Sequence, residues 1–335
     1  MITKAGRVDV LSRRAVLGLL TMACPVPVSA FAQPPDKRAH VAILSATASR
    51  TAEVMRTFEQ RLKELGYVEG RTLTLEFLGA DGRLDRLPDL AARLVTRRPG
   101  VIFALGGAES AFAARAATTA IPIVFTIATD PVADGLVLSV ARPGANVTGV
   151  SSLNAELDGK RLDLMKEMMP GLKRVAVLIN PTDRTSAPAL KRVETGARVL
   201  GLQLEIVEVR TAAEVAAAIG RAKAGAEAAM LLGTPWFYPQ QQRVAALVAK
   251  HRLPTIAPWR EFPAAGGLMS YGTNVHEIFR RAADMVDRIL KGARPGDLPV
   301  EQPTTFELVI NAKAATALGI KLSPALLTRA DTVLR

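Results

Sequence analysis

The chain of 335 residues holds one cysteine and three histidines. A single thiol supports neither an internal disulfide nor a cysteine metal cluster. His40, His251 and His276 fall on separate stretches, with no helical spacing that would set two of them on one metal ion. No apolar run reaches the roughly 20 residues needed to span a bilayer. Three glycine-marked patterns are also missing: Gly-x-x-x-x-Gly-Lys-Ser/Thr, a Gly-x-Gly-x-x-Gly after the first strand, and Gly-x-Ser-x-Gly. Asp130, Asp183 and Glu261 sit in or near loops that follow expected strands, but no two acids are spaced for acid/base work. These absences nominate no catalytic residue, no metal ligand and no cofactor. Acid is in deficit, with 43 Lys and Arg against 31 Asp and Glu, a formal charge of +12. The basic residues are scattered singly or in pairs among acids along expected helices, which describes a solvated surface. No helix-turn-helix, zinc-finger or aromatic RNA-binding pattern accompanies them, so nucleic acid is not an expected partner.

What is present begins at the N-terminus. Lys4, Arg7, Arg13 and Arg14 form a basic head, Ala15 to Ala23 is uncharged and mostly apolar, and Pro25 and Pro27 break the segment. Ala30-Phe31-Ala32 offers small residues at the two positions a signal peptidase reads, so residues 1–32 read as a removable export signal with cleavage after Ala32. Ser12-Arg13-Arg14-Ala15-Val16-Leu17 resembles the twin-arginine export motif, which competes with the general secretory route. Cys24 follows Thr21-Met22-Ala23, a poor lipoprotein cleavage box, and leaves with the signal. An extracytoplasmic, periplasmic chain without thiols suits an oxidising compartment.

From His40 onward, short apolar runs alternate with longer amphipathic ones, the pattern of a parallel sheet covered by helices. Strands are expected at Val41 to Leu44, Thr72 to Phe77, Val101 to Leu105, Ile121 to Thr126 and Val147 to Val150. Helices are expected between them, including Thr51 to Leu65, Ala108 to Thr118 and Val132 to Val140. The alternation restarts with a helix at Glu156 to Met168. Strands follow at Val175 to Ile179, Gln203 to Val209, Ala228 to Leu232, near Thr255-Ile256 and at Leu268 to Ser270. Two doubly wound α/β lobes result, and a ligand would sit between them outside the carboxyl ends of the strands.

Gly106-Gly107 turns the chain into the helix at Ala108, whose N-terminal N–H groups can receive a carboxylate. Asp130-Pro131 starts the next expected helix and can also reach a ligand. Trp236, Phe237, Tyr238, Trp259, Phe262 and Tyr271 crowd the loops of the second half. Phe237 and Phe262 are expected in the core, whereas Trp236 and Tyr271 are candidates to wall the cleft, with Ser45, Thr126 and Asn180 orienting the solute.

Several blocks resemble the substrate-binding proteins of ABC transporters with the type I periplasmic fold, the tryptophan/tyrosine-transporter-like group. They are Leu65 to Gly70, Ala120 to Phe125, Arg142 to Gly149, Pro258 to Phe262 and, most specifically, Leu298 to Asn311. The resemblance implies a monomeric two-lobed receptor that closes on a small solute (an amino acid, aromatic or carboxylate compound) and hands it to an inner-membrane permease. A sensory module, or an enzyme on the same architecture, are the alternatives. It implies a first lobe of residues 39–150 plus 275–295 and a second of 151–274 plus 296–335, with passages near Val150, Asn274 and Gly296. By loop position its ligand residues correspond to Ser45, Gly107, Thr126 to Asp130, Asn180, Thr234 and Tyr271. Where members often carry an acid between glycine and proline, this chain has Gly233-Thr234-Pro235, which puts amino-acid specificity in doubt.

Overall fold

The computed structural model describes residues 38–46, 53–127 and 129–335. The segment expected to be an export signal, residues 1–32 with Cys24, lies outside them. Among the described residues no helix is long and apolar enough to cross a membrane.

The first half runs β1 (Ala39–Ser45), α1 (Glu53–Glu64), β2 (Leu73–Gly79), α2 (Leu87–Thr96), β3 (Val101–Leu105), α3 (Ala108–Ala117), β4 (Ile123–Ile127) and β5 (Val147–Ser151). Its five strands pair in parallel in the order β2-β1-β3-β4-β5, with Val41 opposite both Leu75 and Val101. Both faces of such a sheet are covered, which is why Val101 to Leu105 reads as an unbroken apolar run and is buried throughout. One face packs Val41, Phe103 and Val124 against α1; the other packs Ala42, Ile102 and Phe125 against α2 and α3.

The second half runs α4 (Asp158–Met168), β6 (Arg174–Ile179), α5 (Ser186–Leu200), β7 (Gln203–Glu208), α6 (Val215–Gly225), β8 (Ala228–Leu231), α7 (Gln241–Lys250), β9 (Thr255–Ala257), α8 (Glu261–Ala264) and β10 (Met269–Gly272). Next α9 (Val275–Leu290) returns to the first sheet. Its apolar stripe of Ile278, Phe279, Ala282, Met285 and Val286 packs beside α1, with Phe58 stacked 4.4 Å from Phe103 and Phe279 edge-on to that ring at 5.7 Å. The chain ends with β11 (Glu307–Asn311), α10 (Ala312–Ala317), α11 (Pro324–Arg329) and β12 (Thr332–Leu334). The second sheet has the order β12-β11-β10-β9-β8-β6-β7 and is parallel except for the β10–β11 pair.

Two details differ from the sequence reading. Val132 to Val140 forms turns rather than a helix. Gly135 stands at φ +72°, and Arg115 takes the carbonyls of Gly135 and Leu136 as acceptors, so a side chain replaces helical donors there. The chain also stays on the first sheet past Gly296, as far as Glu301. Thr148 Oγ1 donates to Leu298 O at 2.8 Å, while Ser151 N donates to Glu301 O and Glu301 N to Gly149 O. Residues 298–301 thereby satisfy the outer edge of β5, which would otherwise present unpaired backbone groups.

Gly149 shows how tightly β4 and β5 fit. A Cβ there would lie 2.3 Å from the carbonyl oxygen of Phe125 and 2.6 Å from its ring. Gly149→Ala is therefore expected to cost about 1–3 kcal/mol, read as a lower denaturant midpoint. An unchanged midpoint would contradict this packing.

Candidate functional site

In each sheet the strand order reverses once: between β1 and β3 in the first, and between β6 and β8 in the second. Connections leave in opposite directions at such points and open a crevice beyond the strand ends. A cavity of about 100 Å³ lies there, walled by both lobes. The first lobe contributes Gly106 and Gly107 after β3, Thr126 and Ile127 of β4, and Val54 of α1. The stripe of α9 adds Val275, Ile278 and Phe279. From the second lobe come Gly233, Thr234 and Pro235 after β8, then Tyr238 and Trp259. Ser152 and Asn154, on the first passage between lobes, complete the lining.

The wall depends on close backbone approach. Gly107 has φ +129°, and a Cβ there would lie 2.7 Å from Glu109 Oε2 and 3.6 Å from the Pro235 ring. Glycine therefore lets α3 begin against the opposite lobe. The lobes also meet outside the cavity, where the Arg184 guanidinium of the second lobe lies 5.0 Å from the Phe112 ring of the first.

Polar groups on the wall are neutral. Thr234 is 1% exposed, and its Oγ1 is buried with no hydrogen-bond partner among the described residues. Tyr238 packs edge-on to Trp259, with ring centroids 5.5 Å apart. Burial raises the Tyr238 phenol's pKa well above its ordinary value, helped by the charges of Glu261 and Glu53, so it stays protonated.

Directly behind the wall lies an ion pair that the sequence reading did not find. Asp158 and Arg161 are both fully buried, with Arg161 Nη1 2.5 Å from Asp158 Oδ1. The same guanidinium donates to Asn154 O at 2.9 Å and to Tyr271 O at 2.7 Å. Asn154 Oδ1 in turn accepts from Thr273 N at 3.2 Å. The network thus ties the first passage to the second. Burial pushes the Asp158 carboxyl up to about 6 against the pull of Arg161, leaving it ionised at neutral pH. Its sequence signal is an Asp-x-x-Arg spacing, which exposed helices share.

Of the residues nominated from sequence, Gly106, Gly107, Thr126 and Thr234 meet on the cavity wall. The other five are elsewhere. Ser45 is buried at the end of β1, where its carbonyl accepts from Ala80 N. Asp130 accepts from the N–H groups of Val132 and Ala133 and so organises a turn. Asn180 is buried and accepts from Thr182 through both N–H and Oγ1. Trp236 packs edge-on to Phe237 and lines a separate surface groove with Arg83 and Arg210. Tyr271 points with Met269 into the α4–α5 core and packs against Phe306. Phe237 and Phe262 are fully buried core residues.

A second tie between lobes is ionisable. His276, at the start of α9, has Nε2 3.5 Å from Glu261 Oε1 of α8 and Nδ1 2.6 Å from Thr57 Oγ1. Its pKa is raised, first by the hydrogen bond to Glu261 and further by Glu53, against burial and Arg260. A raised folded pKa gives stability that is complete below the unfolded value and lost as pH rises through the folded one. The melting midpoint of the wild type should therefore fall relative to His276→Gln as pH rises from below the ordinary histidine value through the raised folded one. Parallel profiles would remove this role.

Two parallel-sheet lobes with a cavity between them at their switch points define the type I periplasmic-binding class. Residues 41–334 match the family model for ABC transporter substrate binding proteins, and the chain belongs to that family. It is similar to a tyrosine-binding protein of Clostridioides difficile, 26% identical over 79% of this chain and 76% of that protein. Among solved structures it resembles a conserved domain protein of Vibrio cholerae at 28% identity and TM-score 0.80, over 89% of this chain and 100% of the other. It shares its fold with an ABC domain from Streptococcus pneumonia in complex with L-Trp, at 24% identity and TM-score 0.79, over 89% and 100% of the two chains.

Proposed function

We propose that this protein is an extracytoplasmic solute receptor of an import system, closing its two lobes on a small molecule and delivering it to a membrane permease. The observation that carries this reading is the cavity itself, walled by strand-end loops of both lobes and by the returning helix α9. A solute held there contacts both lobes at once, so binding favours the closed arrangement over an open one. The wall offers hydroxyls, amides, a neutral phenol and apolar faces, groups suited to holding a solute rather than moving protons. The relatives that bind tyrosine and L-Trp support an aromatic-sized solute. Residues 1–32 supply the export step, after which a monomeric receptor meets its permease in the periplasm. Residues 39–150 with 275–301 form the first lobe in this reading, and residues 151–274 with 307–335 the second.

The test is calorimetry and thermal shift of the exported form against aromatic amino acids, arylalkanoates and small carboxylates. A ligand present at about 100 times its Kd should stabilise the protein by about 2.7 kcal/mol. Silence across a wide panel, with no solute retained on purification, would overturn the receptor reading.

A further inference from the structure

Glu109, in the first turn of α3, carries a carboxyl that the receptor reading does not use. It stands on the boundary between the lobes. A Cβ placed on Gly107 would lie 2.7 Å from Glu109 Oε2 and 3.6 Å from the Pro235 ring of the second lobe. The side chain is half-buried, and its Oε1 is shut off from solvent with no hydrogen-bond partner. A buried carboxylate oxygen left unpaired disfavours the charged form.

Three charged groups face this carboxyl from other elements. Asp183 and Arg184 belong to the second-lobe loop between β6 and α5, and Asp134 to the first-lobe turn after β4. Both acids are pinned in place. Asp183 Oδ1 accepts from Thr185 N at 3.0 Å and from Thr185 Oγ1 at 2.6 Å, and Asp134 accepts from the Thr129 hydroxyl. The Arg184 guanidinium lies over the Phe112 ring, one helical turn beyond Glu109. Burial first, then the charges of Asp183 and Asp134, hold the Glu109 carboxyl above the ordinary glutamate value. Its own N–H and Arg184 pull the other way.

The second lobe supplies Asp183, Arg184 and Pro235 to this environment. When the lobes part, those groups leave, water reaches the carboxyl, and it returns toward the ordinary glutamate value. We infer that closing the lobes takes up a proton at Glu109, so that a proton is a co-ligand of the solute and acid conditions tighten its hold. This inference rests on the receptor reading above and names a regulation of the same site. A pKa raised in the closed form favours closure fully below the open-form value. That advantage is lost as pH rises through the closed-form value. Each unit of difference between the two forms changes the closing equilibrium about tenfold.

The test needs no solute. In a Cys24→Ser background, Leu138→Cys in the first lobe and Val199→Cys in the second, both exposed positions, carry a pair of spin labels. Their distance distribution separates closed molecules from open ones across pH. The closed fraction of this parent is expected to fall as pH rises from below the ordinary glutamate value through the raised one. Glu109→Gln keeps the shape of the neutral form, so its closed-to-open ratio should exceed the parent's at neutral pH by at least about threefold. His276 and Asp158 are common to both proteins, so the difference between the two profiles belongs to residue 109. Asp183→Asn removes a repelling charge and should move the parent's transition to lower pH. Parallel profiles for the parent and Glu109→Gln, or a transition that ignores Asp183→Asn, would overturn this inference and leave the receptor reading standing. The receptor reading falls separately, on a silent solute panel.

Discussion

Arg161→Met is expected to lower the unfolding free energy by about 3–5 kcal/mol, because it strands a buried carboxylate. The guanidinium donates to the Asp158 side chain alongside the Gly233 N–H, and it also serves two carbonyls, on Asn154 and Tyr271. Without it, Asp158 must be protonated or hydrated, and both carbonyls lose a charged donor. Asp158→Leu combined with Arg161→Met removes both charges and should recover part of the loss, so the double variant costs less than the two singles added. Guanidinium denaturation of the four proteins gives this cycle. Strict additivity would show that the two groups do not interact. A functional consequence follows from the same network. Asn154 sits on the first passage, and Tyr271 and Thr273 border the second, so loosening it should also weaken solute binding in the Asp158→Leu/Arg161→Met protein.

The strands were legible because parallel sheets bury both faces and so leave continuous apolar runs such as Val101 to Leu105 and Val175 to Ile179. Topology then followed from alternation, and with it the position of the switch points. That is why Gly106, Gly107, Thr126 and Thr234, all in or next to strand ends, could be named before any geometry. Direction of side chains was not legible to the same degree. Tyr271 lies in a strand whose alternate residues face opposite ways, and its parity with Met269 sends it into the core. Trp236 and Trp259 both follow second-lobe strands, yet only Trp259 turns into the cavity. The failed helix at Val132 to Val140 has a different cause: its pattern is amphipathic, but Arg115, 20 residues upstream, supplies a tertiary donor to its carbonyls. Residues 298–301 likewise obey an edge they complete, which no local pattern encodes.

Trp259→Ala is expected to cost about 3–5 kcal/mol of stability and to remove solute binding, whereas Trp259→Phe should keep the fold and most of the affinity. The indole is 4% exposed, packs with the α6–α7 core and meets Tyr238 edge-on at the cavity. Truncation to alanine leaves a hole too large for neighbours to fill, and it removes one face of the solute's enclosure. The conservative replacement separates the two effects: phenylalanine restores core volume and a ring face, so a folded Trp259→Phe protein reports on binding alone. Trp259 is also its own probe. The chain has only two tryptophans, and Trp236→Phe would leave Trp259 as the sole indole emitter. A solute entering the cavity should then change the emission of that single residue, with the same midpoint that calorimetry gives. Emission that stays constant at saturation, while heat of binding is measured on the same sample, would place the solute somewhere other than against Trp259.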